Sequence, residues 1–463
     1  MQTPATRPAP LSIPDLRAAV GCRVIGPDDT DYDEARRVFL GDVDPHPAAI
    51  VRVASADDVA AVVRFARENG VDLAVRSGGH SNAGQSSVEG GLVLDVRDLK
   101  AIDIDPAAST VWAEAGLTAA ELTEATVAHG LAVGFGDTGS VGISGITLGG
   151  GVGYMVRKHG LTIDSLLAAE IVTADGLLRR VDADHEPDLF WAIRGGGGNF
   201  GVATRFLYRL HDVREVVGGM LILPATPEVI QGFIAAAEAA PEELSAIANI
   251  MPAPPMPFLP EEHHGKLVVF ALMTHIGDLE AGQRAIAPFR ALATPLVDML
   301  RPIAYSEMYP PEDPDYAPAP VQRTMFLERI DRAAATTIVE FLEASDASLR
   351  AAQLRVLGGA MARVPADATA FAHRSSRIMA VLVNFYDKTP EDHARRQSWV
   401  DEFAAAMDQG DDGAYVNFLV NEGEARVRAA YPGATWDRLA EIKARYDPTN
   451  LFRHCQNVPP AHA

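Results

Sequence analysis

Cysteine is almost absent from this chain of 463 residues, in which Cys22 and Cys455 are the only two. A disulfide between two thiols so far apart in sequence is not expected, and a reducing, cytoplasmic setting fits them better. Basic residues are also scarce, because 40 Lys and Arg stand against 62 Asp and Glu, which gives a net charge of −22. This balance argues against a nucleic-acid partner or an anionic membrane surface.

Long apolar runs are missing too. No stretch reaches the length of a membrane span, and residues 1–10 lack the apolar segment of a signal peptide. Low-complexity tracts and internal repeats are also absent. At this length, two domains are the natural expectation. We therefore expect a small-molecule partner rather than nucleic acid or a membrane, and a monomer or homodimer.

Glycine, by contrast, is concentrated in three stretches, at residues 75–85, 134–154 and 194–201. The first stretch follows a short apolar strand and carries His80 in its middle. Glycine costs chain entropy, but it lets main-chain N–H groups approach a ligand closely. The pattern favours a main chain wrapped around a flat or phosphorylated ligand, and a tight turn or an irregular packed loop is the plainer alternative.

The third stretch contains Gly196-x-Gly198-x-x-Gly201, which matches the dinucleotide-binding pattern of a Rossmann domain. That pattern requires a strand before the glycines and a helix after them. Here residues 187–193 have helical character and residues 202–210 have the character of a strand. Because the order is reversed, the sequence predicts no Rossmann domain for a nicotinamide cofactor.

The predicted secondary structure changes character near residue 213. Before it, a strand, a helix and a second strand within residues 49–75 predict a parallel strand pair. After it, amphipathic helices alternate with strands, which predicts an α+β unit with an antiparallel sheet. The expected organisation is a lead-in segment at 1–44, a first domain at 45–212, a second domain at 213–430 and a C-terminal segment at 431–463 that returns to the first domain.

Four motifs make the pattern specific. They are Arg-Ser-Gly-Gly-His-Ser at 76–81, the glycine stretch at 138–154, Asp-Leu-Phe-Trp-Ala-Ile-Arg-Gly-Gly-Gly-Gly-Asn-Phe-Gly at 188–201, and Tyr-Asp-Pro-Thr-Asn-Leu-Phe-Arg-His-x-Gln-Asn at 446–457. In this order they resemble the berberine-bridge-enzyme-like branch of the FAD-linked oxidases, which have the vanillyl-alcohol-oxidase fold. The resemblance implies a PCMH-type FAD-binding domain, completed by the C-terminal segment, and a substrate domain that covers the flavin ring.

The resemblance also assigns roles to individual residues. The family's histidine that matches His80 bonds covalently to the 8-methyl carbon of FAD. A second anchor in many relatives is a cysteine, and it matches Thr138 here, so a single covalent bond is expected. The residues expected to contact FAD are Arg76, Ser77, Gly78, Gly79, His80, Ser81, Gln85, Thr138, Val141, Gly142, Ser144, Gly145, Gly149, Gly153, Tyr154, Val202 and Asn457.

The catalytic base is the point at which this chain departs from the family. Relatives commonly carry Tyr-x-Asn-Tyr on a strand of the substrate domain, with the last tyrosine as base. This chain has Tyr-Val-Asn-Phe at 415–418, and Phe418 cannot accept a proton. Hydride transfer from a neutral amine, which needs no base at that point, is one alternative. The candidate catalytic residues are otherwise Tyr415, Asn417 and Gln353, with Asn421 and Tyr386 as further polar side chains.

The function implied by the resemblance is that of an FAD-dependent oxidase. Such an enzyme takes hydride from a small alcohol, amine or natural-product intermediate and passes the electrons to dioxygen, which gives hydrogen peroxide. A flavin-dependent oxygenase or cyclase of a secondary-metabolite pathway is the alternative. A hydrolase that uses Ser81 is a third hypothesis, although Ser81 misses the Gly-x-Ser-x-Gly elbow by one residue. No metal is expected, since Glu-Glu-His-His at 261–264 is better explained as a solvated hairpin tip.

Overall fold

A computed structural model of the chain describes residues 11–313 and 315–461. Residues 1–10 of the predicted lead-in segment therefore lie outside the described residues. The strands form sheets of four, five and eight strands and one pair of short strands. Within the described ranges, no helix is both long enough and apolar enough to cross a membrane.

The first sheet has the spatial order β1-β2-β4-β3. Its strands are β1 (Arg23–Ile25), β2 (Ala49–Arg52), β3 (Leu73–Arg76) and β4 (Leu92–Asp95), and they are accompanied by α1 (Ile13–Ala19), α2 (Tyr32–Arg36) and α3 (Ala56–Asn69). The α3 helix begins after Ser55, whose hydroxyl accepts the N–H of Asp58, and it ends at Gly70 in the left-handed region. These are the signals expected at helix ends.

The observed sheet differs from the predicted pair of parallel strands in one respect. Strands β2 and β3 run parallel, but they do not pair with each other, because β4 lies between them and pairs with both. All four residues of β4 are buried, and a strand covered on both faces suits the centre of a parallel sheet. The position of β4 could not be inferred from the local spacing of β2, α3 and β3.

The second sheet is antiparallel, with the order β5-β6-β10-β8-β9. The strands of this region are β5 (Ile102–Asp105), β6 (Thr110–Glu114), β7 (Leu131–Ala132), β8 (Leu166–Val172), β9 (Leu178–Asp182), β10 (Val202–Arg209) and β11 (His211–Asp212), of which β7 and β11 pair with each other. Its helices are α4 (Ala119–Val127), α5 (Ile143–Leu148), α6 (Val156–His159) and α7 (Pro187–Ile193). Because α7 precedes the third glycine stretch and β10 follows it, the rejection of a Rossmann pattern there is confirmed.

The third sheet has eight antiparallel strands, seven of them in the order β15-β12-β14-β13-β18-β19-β17, while β16 pairs with β12. They are β12 (Val216–Pro224), β13 (Leu244–Pro252), β14 (Leu267–Ile276), β15 (Val297–Asp298), β16 (Arg301–Pro302), β17 (Pro320–Leu327), β18 (Arg350–Val356) and β19 (Ile378–Phe385). The remaining helices are α8 (Pro227–Ala239), α9 (Leu279–Arg290), α10 (Arg332–Ala344), α11 (Ala360–Arg363), α12 (Pro390–Met407), α13 (Glu424–Ala430) and α14 (Ala434–Tyr446). Apolar residues of α8, α9, α10 and α12 share one core with this sheet. The predicted α+β class with an antiparallel sheet is confirmed.

The C-terminal segment returns to the first part of the chain through a buried ion pair. Lys443 on α14 and Asp447 just beyond it are both fully buried, and Nζ lies 2.6 Å from Oδ2. The same ammonium donates to the main-chain oxygens of Asn199, at 2.6 Å, and Phe452, at 2.9 Å. The Asp447 carboxylate accepts the N–H groups of Leu451 and Phe452. This network fixes the path of the chain after α14.

Replacement of Lys443 by methionine should destabilise the protein strongly. The substitution keeps most of the side-chain volume but leaves the Asp447 carboxylate buried without its counter-charge, which costs about 3–5 kcal/mol. Urea unfolding followed by tryptophan fluorescence measures the change. Arg445→Met on the same helix is the matched control, because the largely exposed Arg445 makes long ion pairs with Glu186 and Asp188 and lies over the Tyr446 ring, and its loss should cost less than about 1 kcal/mol. Equal losses in the two variants would contradict the proposed importance of the buried pair.

Candidate active site

Arg76, the last residue of β3, sets the start of the first glycine-rich loop. Its Nη2 donates to Asp95 Oδ2 over 2.7 Å, and its Nη1 donates to the main-chain oxygen of Arg37 over 3.3 Å. Arg76 and Asp95 are register partners in β3 and β4, and both are buried. A buried charge that loses its partner is costly, so this pair positions the loop. Arg76 was predicted to contact the cofactor, but it does not line the cavity described below.

The first and second glycine-rich loops touch along their main chains. A Cβ on Gly78 would collide with the main-chain nitrogen of Gly142, and a Cβ on Gly142 would collide with Gly78 and with the Ser77 hydroxyl. Glycine is therefore required at both positions for this close approach. The next residue, Gly79, has a φ of 78° and turns the chain towards His80. The two loops consequently face one shared space.

A cavity of about 380 Å³ opens where these loops meet the C-terminal part of the chain. Tyr415 and Asn417, two of the three predicted catalytic residues, line it. Most of the predicted cofactor contacts line it as well, namely Ser77, Gly78, Gly79, His80, Ser81, Gln85, Thr138, Val141, Gly142, Ser144, Gly145 and Val202. The fold thus gathers residues from both ends of the chain into one site.

The first loop offers hydrogen-bond donors that have no protein acceptor. Within the described part of the chain, the main-chain N–H groups of Gly78, Gly79, His80, Ser81 and Asn82 make no hydrogen bond to protein. Consecutive N–H groups of this kind form a concave site for anions such as phosphate. Gly79 is buried and the other four residues are partly exposed, so these donors remain available to a ligand in the cavity. The loop therefore fits a pyrophosphate.

His80 is held by a stacking partner and one hydrogen bond. Its ring stacks on Phe39, with centroids 4.1 Å apart and an interplanar angle of 23°. Its Nε2 lies 2.9 Å from the Ser140 hydroxyl oxygen. Burial lowers the pKa of the imidazole to about 4, while the nearby Glu312 carboxylate acts in the opposite direction. His80 is consequently a neutral imidazole near pH 7.

Several predicted cofactor contacts lie behind the wall of the cavity. A Cβ on Gly149 would collide with the Asn417 amide, and a Cβ on Gly153 would collide with the main-chain oxygen of Phe135, so both glycines serve close packing. Tyr154 is buried, and burial is the main reason that its pKa lies well above the ordinary value. The Asn457 side-chain oxygen is buried and has no partner among the described residues. Contacts of these residues with a cofactor stay predictions.

Tyr415 and Asn417 belong to a tight turn rather than to a strand. Residues Val416–Phe418 form a 3₁₀ turn, whereas the resemblance placed this motif on a strand of the substrate domain. The Tyr415 hydroxyl oxygen accepts the N–H of Gly151 over 3.0 Å and the Asn417 amide over 2.9 Å. Burial raises the pKa of Tyr415, although both hydrogen bonds favour the phenolate. The turn places the Phe418 ring 5.1 Å from the Tyr415 ring.

Arg355 is a cavity residue that sequence reasoning missed. Its Nη2 lies 2.7 Å from Asp137 Oδ2, and its Nη1 donates to the main-chain oxygen of Val152 over 3.1 Å. The guanidinium also donates to Gln353 Oε1 and lies over the Phe418 ring, 5.2 Å from its centroid. Gln353 itself does not line the cavity. The only sequence signal for Arg355 was its spacing from Gln353, because residues two apart on a strand such as β18 have their side chains on the same face of the sheet.

The C-terminal segment supplies a further side of the cavity through Phe452, His454, Cys455 and Gln456. Cys455 lines the cavity, and its Sγ lies 3.4 Å from Asn199 Oδ1. Burial raises the pKa of this thiol to about 11, so it is protonated and weakly nucleophilic at pH 7.

The competing chemistries find no support in the geometry. The Ser81 hydroxyl accepts the N–H of Gln85 over 3.2 Å, and it makes no hydrogen bond to a histidine within the described ranges, so it lacks a hydrolase's base. Glu261–His263 form a 3₁₀ turn in the connection between β13 and β14, as expected for a hairpin tip. No cluster of three or more potential metal ligands occurs among the described residues.

Comparison with known proteins shows the family to which the chain is related. A family model described as an FAD binding domain matches residues 47–182, and a second, described as berberine and berberine like, matches residues 414–459. The chain is 30% identical over 449 residues to (R)-6-hydroxynicotine oxidase of Paenarthrobacter nicotinovorans, which covers 94% of this chain and 96% of the relative. It is 28% identical over 449 residues to xylooligosaccharide oxidase of Thermothelomyces thermophilus, and this match covers 90% of this chain and 88% of the relative.

Solved structures agree with these matches. The crystal structure of 6-hydroxy-D-nicotine oxidase from Arthrobacter nicotinovorans superposes with a TM-score of 0.83 at 27% identity, over 96% of this chain and 98% of that one. A berberine-bridge-enzyme-like protein of Physcomitrella patens shares the fold, with a TM-score of 0.86 at 23% identity. The superposition covers 98% of this chain and 100% of that one. Fold, site and matches together define an FAD-linked oxidoreductase. Within that class, the chain belongs to the berberine-bridge-enzyme-like family.

Proposed function

We propose that this enzyme is an oxidase whose FAD is bonded covalently to His80 and whose substrate is a small organic molecule. The observation that carries the proposal is the juxtaposition of two features at one loop. Free main-chain N–H groups suited to a pyrophosphate run directly into a neutral imidazole that lines the same cavity. Named relatives are oxidases of 6-hydroxynicotine and of xylooligosaccharides, which supports an amine, an alcohol or a natural-product intermediate as substrate.

The chain's residues would hold FAD in three ways. The N–H groups of residues 78–82 would bind the pyrophosphate. The first turn of α5 would lie against the flavin, because Gly145 in that turn has open space where a Cβ would be. His80 would tether the ring at its 8-methyl carbon. When bound, FAD would take up the hydride and deliver two electrons to dioxygen, with hydrogen peroxide as product.

The proton of the substrate needs a separate acceptor, because a bonded His80 is no longer free and Phe418 has no acidic or basic group. We propose Tyr415 for this role, because it lines the cavity and its oxygen receives two N–H hydrogen bonds that oppose the rise in its pKa caused by burial. Asn417 would position that oxygen. Gln353 would act indirectly, because its side-chain oxygen accepts hydrogen bonds from the Arg355 guanidinium and so positions it.

His80→Ala should abolish the acid-stable flavin while leaving FAD bound non-covalently. The tether would be lost, but the pyrophosphate-binding N–H groups belong to the main chain and would remain. Acid precipitation followed by absorbance at 450 nm of pellet and supernatant measures the two forms. His46→Ala, which removes an exposed histidine from the preceding segment, is the matched control and should keep the flavin in the pellet. Flavin that stays in the His80→Ala pellet would overturn the assignment.

Turnover should release one hydrogen peroxide per substrate oxidised, because both electrons go from the flavin to dioxygen. Peroxide is measured by a peroxidase-coupled assay during screening of amines, alcohols and natural-product intermediates, beside oxygen consumption. In parallel, ¹⁸O₂ should leave no label in the organic product. Label in the product would instead establish the alternative, a flavin-dependent oxygenase.

Tyr415→Phe should slow flavin reduction by about a hundredfold, which is the usual scale of a lost general base. Anaerobic stopped-flow absorbance at 450 nm follows the reduction directly. Tyr386→Phe is the control, because it also removes one hydroxyl, but from a tyrosine that does not line the cavity and that bonds Asp42. An unchanged rate in Tyr415→Phe would favour base-free hydride transfer, as from a neutral amine.

A further inference from the structure

The imidazole of His80 is the first member of a chain of three polar side chains. Its Nε2 lies 2.9 Å from Ser140 Oγ, and Ser140 Oγ lies 2.5 Å from Glu312 Oε2. The main-chain N–H of Ser140 donates to the other carboxylate oxygen, Glu312 Oε1, over 3.0 Å. The Glu312 carboxylate therefore accepts two hydrogen bonds from Ser140. Ser140 belongs to the second glycine-rich loop, whereas Glu312 lies between β16 and β17 of the large sheet.

Counting protons along this chain fixes the tautomer of the ring. An ionised carboxylate only accepts hydrogen bonds, and a serine hydroxyl has one hydrogen to donate. That hydrogen is directed to Glu312, so Ser140 Oγ must accept from Nε2–H of His80. The ring is neutral and carries one proton, which leaves Nδ1 with a free lone pair. Within residues 11–313 and 315–461, Nδ1 makes no hydrogen bond, and stacking on Phe39 holds the ring plane.

We propose that Ser140 and Glu312 are positioning residues for the attachment of FAD, because they hold His80 with Nδ1 as the nucleophile. The proposal rests on the proposed tether at His80. In the step, a bond forms between Nδ1 and the 8-methyl carbon of the flavin, and that carbon loses one proton. The second proton is lost from Nε2, through Ser140. The two electrons left on the flavin pass with these two protons to dioxygen, which becomes hydrogen peroxide.

The charge of Glu312 suits the direction of this step. Bond formation at Nδ1 makes the ring positive while Nε2 still carries its proton, and the Glu312 carboxylate, which lies one hydroxyl away, stabilises that cation. Glu312 is exposed, so a charge on its carboxylate carries little desolvation cost. Charge-assisted hydrogen bonds of this kind correspond to about tenfold to hundredfold in rate.

The test follows attachment itself rather than turnover. The full chain is purified from riboflavin-starved cells and mixed with FAD, and acid-stable flavin is measured against time. Ser140→Ala should bind FAD normally but attach it about tenfold to hundredfold more slowly, and Ser140→Thr, which keeps the hydroxyl, should recover the rate. Glu312→Gln should also be slow, by about tenfold, because an amide can donate to Ser140 and so allow the other ring tautomer.

Two further measurements separate positioning from a general effect. Asp313→Asn removes a neighbouring charge whose one hydrogen bond among the described residues is to the N–H of Asp315, and it should attach FAD at the rate of the unaltered chain. NMR of the flavin peptide should find Nδ1 as the bonded nitrogen in the unaltered chain and a share of Nε2 linkage in the Ser140→Ala variant.

The outcomes distinguish this proposal from the one on which it rests. Covalent flavin in His80→Ala would overturn the tether and, with it, the role of Ser140. Loss of covalent flavin in His80→Ala, together with unaltered attachment rates in Ser140→Ala and Glu312→Gln, would overturn only the positioning role. Should Ser140→Ala bind no FAD at all, Glu312→Gln decides, since its side chain is exposed and its rate must fall for the proposal to stand.

Discussion

The buried ammonium of Lys443 fixes the position of the C-terminal segment that forms one wall of the cavity. The three N–H groups of Lys443 are directed to three acceptors, in Asn199, Asp447 and Phe452. An ammonium has three donors and no other capacity, so every hydrogen bond it can form is used. Because burial without these partners would be prohibitive, the segments that carry the acceptors must assemble together. Phe452 and the residues after it thereby become a wall of the cavity.

The features predicted from sequence are those with a local physical cause. Helix α3 carries its own start and stop signals in Ser55 and Gly70, and α7 and β10 around the third glycine stretch follow from their spacing. The density of glycine predicted a main chain that approaches a ligand closely, because glycine is otherwise costly in chain entropy; the structure shows in addition that the two loops contact each other at Gly78 and Gly142. Together with the family resemblance, these loops predicted residues that the fold gathers around one cavity.

What escaped prediction depends on distances across the fold. Arg355 and Glu312 reach the second glycine-rich loop from the large sheet, and no spacing rule connects residues so far apart in sequence. Arg76 looked like a ligand contact because it precedes the loop, but its partner Asp95 lies on the neighbouring strand. The insertion of β4 between β2 and β3 is of the same kind. Pairings of this sort are decided by tertiary packing, not by local propensity.

The second glycine-rich loop is held from the far sheet at two points three residues apart, since Arg355 binds Asp137 and Glu312 binds Ser140. If attachment of the flavin depends on the second point, it must wait until the large sheet has folded and docked. An acid-resistant yellow colour would then be a record of complete assembly, kept by each molecule for its lifetime. Chains that stall half-folded would stay colourless after acid, so the ratio of colour to protein would gauge the quality of a preparation.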